Sequence, residues 1–300
     1  MELRVLRYFL EVARVGNLTS ASKMLHASQP SLSRQLKDLE YELDTTLYER
    51  TNHGIRLTEA GELLKRRAED ILGLTDKTLG EFKSLHTITG GDIRIGCAES
   101  IYIKYLTDTL KDFRDDYPDL HFHILSGDTS QVADRLDNGL LDFAVIAEPP
   151  DLSKYYYIKL PDVDRWGLVM LKDHELAKKD VITCDDLKDV PLFASKQAID
   201  NDFPRWCGSK MEVLNFVGTV NLCYNGSIAV RSHLGCLLTF EHLANVSEES
   251  GLCFRPLSPE LTTQMYFIYR KSQIFSPIAK AFKDYLGDHP WEKKDPFLNA

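Results

Sequence analysis

Apolar residues recur at helical spacing from the start of the chain. Leu3, Leu6, Leu10 and Ala13 fall at steps of three and four, which predicts a helix over 3–14 with these side chains inward. Gly16-Asn17 ends it, and Thr19 offers an N-cap hydroxyl to a short second helix reaching His26, with Ala21 and Leu25 inward. Ala27-Ser28 makes a tight connection. Ser28 then caps a third helix, whose first turn tolerates Pro30 because no helical hydrogen bond is lost there. Its buried stripe is Leu32, Leu36, Leu39 and Leu43. Between Leu47 and Leu57, Asn52-His53-Gly54 predicts a turn joining two short strands. From Thr58 to Leu85, Ala60, Leu64, Ala68, Ile71, Thr75, Thr78, Phe82 and Leu85 hold a heptad phase, which predicts a long helix paired with a partner.

Thr87 to Asp92 reads as a linker, and beyond it short apolar runs alternate with helical patterns. Ile93–Cys97, Phe122–Leu125 and Phe143–Ala147 are expected strands, with helices over Ser100–Asp116 and Thr129–Gly139 between them. This β-α-β-α-β order calls for a parallel sheet with helices on its faces. After a strand at Tyr157–Leu160 a second set follows: strands Trp166–Leu171, Leu192–Ala194 and Cys236–Thr239, with helices near 199–206 and 221–233. A return strand, Met265–Arg270, and a last helix, Ile274–Leu286, complete it. Two lobes joined by two crossovers enclose a cleft at the C-terminal ends of parallel strands, the usual ligand position in open α/β sheets.

The expected boundaries are 1–58 for a unit of three helices and a hairpin, 59–90 for a linker helix and hinge, and 91–300 for the α/β body. Within the body, lobe I takes 91–161 and 267–300, and lobe II takes 162–266.

Composition narrows the classes. The 300 residues carry a net charge of −9, which argues against indiscriminate coating of nucleic acid. Yet residues 1–57 hold 8 basic and 7 acidic side chains, and the deficit lies beyond residue 90. A near-neutral head can still bind DNA if its cations share one face. No apolar run reaches the ~18 residues of a membrane span, and the amphipathic N-terminus does not read as a secretory signal. Six scattered cysteines, without a Cys-x-x-Cys pair, form neither a disulfide framework nor a zinc cluster, so a reducing cytoplasm is expected.

The third helix carries the most chemistry. With its leucines inward, Pro30, Ser33, Arg34 and Lys37 lie on the opposite side, while Gln29 and Ser31 project from the first turn. Gln and Arg are the side chains that bond base edges, and Arg and Lys grip phosphates. Behind a short helix and a tight turn, this is the geometry of a recognition helix in the major groove. The hairpin is then a wing, with Arg50 and Arg56 near the sugar-phosphate backbone and His53 at the tip. The plain alternative is an ordinary solvated face.

These residues resemble the LysR-type transcriptional regulators. Phe9-Leu-Glu-Val-Ala13, Leu18-Thr-Ser-Ala-Ser-Lys-Met-Leu-His26, Ser28-Gln-Pro-Ser-Leu-Ser-Arg-Gln-Leu-Lys-Asp-Leu-Glu40 and Leu47-Tyr-Glu-Arg50 are similar to the family's winged helix-turn-helix signature, and Leu57-Thr-Glu-Ala-Gly61 to the start of its linker helix. The resemblance is dense over the first 65 or so residues and follows pattern alone thereafter. It implies a DNA-binding homodimer or homotetramer, double-stranded operator DNA as partner, a contact open to RNA polymerase, and a two-lobed effector domain like periplasmic binding proteins. It implies Gln29, Pro30, Ser31, Ser33 and Arg34 in the groove and Arg56 on the wing. Leu18 stands where phenylalanine is common, and Asn52-His53 occupies a wing tip that is often more basic. The implied setting is the cytoplasm, at the nucleoid.

Three places match the family's effector positions: Glu99-Ser100, Gly127-Asp128-Thr129-Ser130 and Ala194-Ser195-Lys196. Ser100, Thr129 and Ser195 put hydroxyls at helix starts, where plain capping is the competing explanation. Helix N–H groups aimed into the cleft favour a carboxylate or other anion, whereas Glu99 favours a ligand with a donor or positive group. Tyr102 and Phe203 are candidate cleft walls. His121 and His123 share a strand face without a third metal ligand, so neither metal nor cofactor is expected. Cys97 and Cys207 lack an adjacent base, and Asp185-Asp186 reads as a helix start. No P-loop or Gly-x-Ser-x-Gly is present, so the chain reads as a regulator and not an enzyme. An enzyme or solute receptor with a helical assembly head, and an architectural DNA protein without effector, are the rival readings.

Overall fold

In a computed structural model, the structure describes residues 1–51, 54–83, 89–147 and 152–293, and the chain divides into two units, Met1–Lys83 and Ser84–Ala300. The first unit holds α1 (Leu3–Val15), α2 (Leu18–Met24), α3 (Gln29–Glu42), a hairpin of β1 (Tyr48–Thr51) and β2 (Gly54–Leu57), and α4 (Glu59–Lys83).

Its core differs in detail from the expected stripes. On α1 the buried residues are Leu6, Phe9 and Val12, while Leu3 is exposed. Phe9 is fully buried in the core, and Leu10 packs against it only partly buried. Asn17, and not Thr19, caps α2: its side-chain oxygen accepts from the N–H groups of Thr19 and Ser20 at 2.9 and 3.0 Å. Ser28 caps α3 as expected, accepting from Ser31 N–H at 3.3 Å. Leu32, Leu36 and Leu39 are buried below it, but Leu43, at the helix's C-cap, is exposed.

The hairpin is pinned to the turn after α1. Ile55 N–H donates to Gly16 carbonyl at 2.7 Å. A Cβ on Gly54 would lie 2.4 Å from that same carbonyl oxygen, and Gly54 has φ +132°, so only glycine fits there. Asn52 and His53, the expected turn, lie outside the described residues.

The Leu57-Thr-Glu-Ala-Gly61 motif has a local cause. Thr58 Oγ1 donates to Thr46 carbonyl at 2.6 Å and accepts from Gly61 N–H at 3.0 Å, capping α4. A Cβ at Gly61 would fall 2.0 Å from Leu47 carbonyl oxygen. Glu40 Oε1 accepts from Leu47 N–H at 2.8 Å, tying α3 to the same strand entry.

Along α4, Leu64, Ala68 and Leu72 are buried in the core that α1 also builds, and Arg7 of α1 pairs with Asp76 at 2.7 Å. The first half of the expected partner seam is therefore satisfied within its own chain. Thr75 and Thr78 turn their hydroxyls back onto the carbonyls of Ile71 and Leu74, both at 2.8 Å. Leu74, Leu79 and Phe82 are exposed, Phe82 to 67%.

Among its described residues the second unit has a mixed sheet of nine strands. One half reads β4 (Asp119–Ser126), β3 (Gly90–Cys97), β5 (Phe143–Ala147), β11 (Thr262–Arg270) and β6 (Tyr155–Leu171). The other continues from β6 through β9 (Cys236–Phe240) and β7 (Pro191–Ala194) to β8 (Asn215–Thr219), with β10 (Leu252–Pro256) also on β6. The β4-β3-β5 and β8-β7-β9 trios are parallel, as expected; β6, β10 and β11 run antiparallel. Gly90–Asp92, expected as linker, already belongs to β3.

The break expected between 160 and 166 is absent. β6 is one 17-residue strand, because Pro161 lies where its missing N–H is tolerated and Gln264 bridges the junction, donating to Leu160 carbonyl at 2.8 Å. β8 and β10 were not anticipated. Both are mostly unburied, with Asn215, Gly218 and Thr219 in one and Arg255 and Pro256 in the other, so neither forms the continuous apolar run that marked β5 and β9. Helices α5 (Lys104–Asp116), α6 (Thr129–Asp137), α7 (Phe203–Cys207), α8 (Cys223–Arg231) and α9 (Pro277–Asp288) cover the faces. Phe113, Phe143, Phe267 and Phe282 interlock in one half of the core; Trp166, Phe203 and Phe240 do so in the other.

Candidate functional site

Two surfaces merit attention, one in each unit. On α3, Pro30, Ser31, Arg34 and Lys37 are exposed, and Gln29 and Ser33 are partly so. Gln35 Nε2 reaches back to Ser31 Oγ at 3.4 Å. The three buried leucines fix this helix against α1 and α2, so its polar face is rigidly held toward solvent. Among the described residues, neither Arg34 nor Lys37 forms an ion pair. On the hairpin, Tyr48, Arg50, Ile55 and Leu57 share one side of the ribbon, whereas Glu49 and Arg56 share the other. The two wing arginines are thus on opposite sides, and Arg56 has a carboxylate as its cross-strand neighbour.

In the second unit, a cleft with a cavity volume of about 80 Å³ opens at the C-terminal ends of β3, β4, β5, β7 and β8, the position the sheet topology predicts. Glu99, Asp128 and Ser195 line it, together with Gln197, Asp202 and Trp166, which sequence reading missed. Adjoining space is bordered by Thr129, Ser130, Lys196 and Arg205.

The hydroxyls expected to face a ligand are largely committed. Ser100 is buried and absent from the cleft wall; its Oγ donates to Asp164 Oδ2 at 2.7 Å and accepts from Tyr102 N–H at 3.0 Å. Thr129 Oγ1 donates to Ala147 carbonyl at 3.3 Å and accepts from Ala147 N–H at 3.2 Å. Asp128, and not Thr129, caps α6, accepting from Gln131 N–H at 2.8 Å. Ser195 Oγ accepts from Ala198 N–H at 3.2 Å. Ser130 is exposed.

Two bonds cross the cleft. Glu99 Oε2 accepts from Cys223 N–H, the first residue of α8, at 2.6 Å. Gln197 Oε1 accepts from Thr129 N–H, the first residue of α6, at 3.2 Å. A carboxylate or amide oxygen from each side therefore seats on a helix N-terminus of the other, where partial positive charge favours it. At the cleft wall, Trp166 Nε1 donates to Thr263 Oγ1 at 2.8 Å, which donates to Asp202 Oδ1 at 3.1 Å, and Arg205 pairs with the same oxygen at 2.7 Å.

Asp164, next to this wall on β6, is 1% exposed and its Oδ1 accepts no hydrogen bond. Burial pushes its carboxyl up to about 7, against the opposing effect of bonds from Ser100 and Ile101 N–H.

Several candidates belong elsewhere. Phe203 is fully buried against Trp166 and is core, not cleft wall; Tyr102 is also off the wall. His123 pairs with Asp92 at 3.4 Å, and no metal-ligating cluster occurs among the described residues. Burial pushes the Cys97 thiol up to about 12 and raises that of Cys207 as well, opposite to what a reactive thiolate needs. Asp186 accepts from Thr183 N–H at 2.9 Å, so Asp185-Asp186 does start a short helix. Gln197 and Asp202 gave no sequence signal beyond their polarity. No helix among the described residues is long and apolar enough to cross a membrane.

Comparison with known proteins identifies the class. Residues 3–62 match the bacterial regulatory helix-turn-helix protein model of the lysR family, and residues 88–291 match the LysR substrate binding domain. The second match alone covers more than half of the chain, and the chain belongs to this family of transcriptional regulators.

Among individual proteins, it is 33% identical over 187 residues to a probable RuBisCO transcriptional regulator of Phaeodactylum tricornutum, covering 62% of this chain and 61% of that one. It is 32% identical to YtlI of Bacillus subtilis, over 62% of this chain and 60% of that regulator. The aligned part thus spans less than two thirds of these relatives. CmpR, a transcriptional activator of Synechocystis, is 27% identical across 94% of this chain and 93% of its own. The fold is that of the LysR family regulator CbnR, with a TM-score of 0.74 at 18% identity over 97% of this chain and all of that one. CbnR in complex with its target DNA gives 0.70 at 19% identity, over 96% and 99%.

Proposed function

We propose that the chain is a sequence-specific DNA-binding transcriptional regulator, controlled by a small-molecule effector held in the cleft. The observation that carries this is the exposed face of α3, presenting Gln29, Ser33, Arg34 and Lys37 on a helix whose other side is locked by Leu32, Leu36 and Leu39. In this reading Gln29, Pro30, Ser31, Ser33 and Arg34 enter the major groove, and Lys37, Arg50 and Arg56 meet phosphates. Arg56 takes the smaller share, given Glu49 beside it.

Residues 1–58 act as the DNA-binding head, 59–90 as the linker, and 91–300 as the effector body. A second copy covers Leu74, Leu79 and Phe82 of α4, giving a homodimer whose two heads meet two half-sites. Tetramer assembly and contact with RNA polymerase are extensions of the same reading, which places the protein in the cytoplasm, at the nucleoid. Glu99 and Ser195 contact the effector directly, Thr129 and Ser130 border the adjoining space, and Ser100 acts through Asp164. Ligand shifts the heads only insofar as it binds one disposition of the two halves more tightly than another.

Selection of genomic fragments by the full chain, followed by footprinting, tests the function. The expected result is a protected pair of half-sites about one or more helical turns apart, with a footprint that changes when a cleft ligand is added. Sequence-indifferent coating without protected sites would refute it.

A further inference from the structure

The cleft keeps open donors in the side-chain amides of Gln197 and Asn221, but the charged groups that line it are all carboxylates. Glu99 takes one N–H at the start of α8, Asp128 and Gln197 take two at the start of α6, and Ser195 takes one in the turn after β7. The carboxylates of Glu99 and Asp128 each use one oxygen in these bonds, and their second oxygens make no further bond among the described residues. Among the described residues lining this cleft there is no lysine, arginine or histidine; Lys196 and Arg205 border only the adjoining space. An anion entering the cleft would lie beside the carboxylates of Glu99 and Asp128 with no cation in its own wall to offset them. A cation meets two carboxylate oxygens ready to accept.

The remainder of the wall is apolar and aromatic. Trp166 and Phe240 pack edge to face at 4.3 Å between ring centroids, and Val220, Leu238 and Leu243 continue the surface. Such a wall suits a short hydrocarbon or aryl body, and ring faces add attraction for a nearby cation.

We propose that the effector is a small amine, with its protonated nitrogen held by Glu99 and Asp128 and its apolar body against Trp166 and Phe240. This rests on the cleft being the effector site, and it replaces the carboxylate that helix N-termini alone would favour. The interlobe bond from Cys223 N–H to Glu99 then persists in the bound state, so the amine braces the two halves in the arrangement already latched.

Calorimetric titration of the full chain tests this with phenethylamine, isopentylamine and agmatine, each against its acid or alcohol counterpart: phenylacetate, isovalerate, succinate, phenethyl alcohol and isopentanol. At least one amine should bind saturably, and its counterparts should not. Glu99→Gln keeps an acceptor for Cys223 N–H, and Asp128→Asn keeps the helix cap, so both variants should remain folded by circular dichroism. Each should weaken the amine about tenfold or more, as loss of a charged partner does. Leu238→Trp, which fills the cleft, should abolish binding.

Binding of only acids or alcohols, sensitive to Leu238→Trp, would overturn the amine assignment and leave the cleft as the effector site. Amine binding indifferent to Leu238→Trp would overturn the cleft itself as the site. Failure of all three amines to bind the folded wild-type chain would also overturn the assignment.

Discussion

Asp164 concentrates the most unusual chemistry in the body. Its folded-state carboxyl titrates near 7, above the ordinary 3.8, because burial penalises the charge. The native state therefore holds a proton that the unfolded chain has released. Its stabilising contribution is full below about pH 4, declines as pH rises, and is gone above about 7. Asp164→Asn keeps the acceptor for Ser100 and removes the titration. Chemical denaturation from pH 4 to 8 should show a flatter stability profile than wild type, with the variant relatively more stable at pH 8. An unchanged slope would mean Asp164 ionises normally.

At this scale the sequence was only partly readable. Ser28 announced itself as a cap, because a proline and a polar first turn follow it. Ser100 and Thr129 looked like ligand hydroxyls, and their actual partners, Asp164 and Ala147, lie 64 and 18 residues away. Such bonds depend on tertiary folding and leave no local pattern.

Helix periodicity was legible wherever a helix rests on one layer, as α3 does. It misled where two surfaces compete. The heptad on α4 is genuine, but its first half packs on α1, a helix more than forty residues earlier in the chain. The choice of cap for α2 failed for a simpler reason: Asn17 had been assigned to ending α1, whereas Gly16, with φ +68°, does that alone.

Two predictions belong to elements. Asn17→Ala removes the one oxygen that accepts from two N–H groups of a seven-residue helix, and urea denaturation of the full chain, followed by a head-unit probe, should show a loss of about 1 kcal/mol. Leu79→Glu on the exposed part of α4 should leave circular dichroism intact while shifting the sedimentation equilibrium from dimer toward monomer. A dimer of undiminished strength would place the interface elsewhere.

Across the whole molecule, the order of parts was the most legible feature, since the switch from helical spacing to short strands marks two units without knowledge of either core. The strand assigned to each lobe was less so. β6 and β11 are continuous through both halves of the sheet, and a rule of one run per strand divides β6 in two. The resulting cleft joins residues from Ala98 to Leu243, which no single motif could assemble.

The central claim is that the α3 face grips duplex DNA. Fluorescence anisotropy of the full chain on its selected duplex, repeated over a salt series, tests it most directly. Arg34→Ala should weaken binding by about 1–3 kcal/mol. If Arg34 meets a phosphate, the slope of log K against log salt should also shrink by about one. Arg231→Ala, on α8 of the acidic body, should do neither. Wild-type affinity and slope in the Arg34→Ala variant would contradict the account.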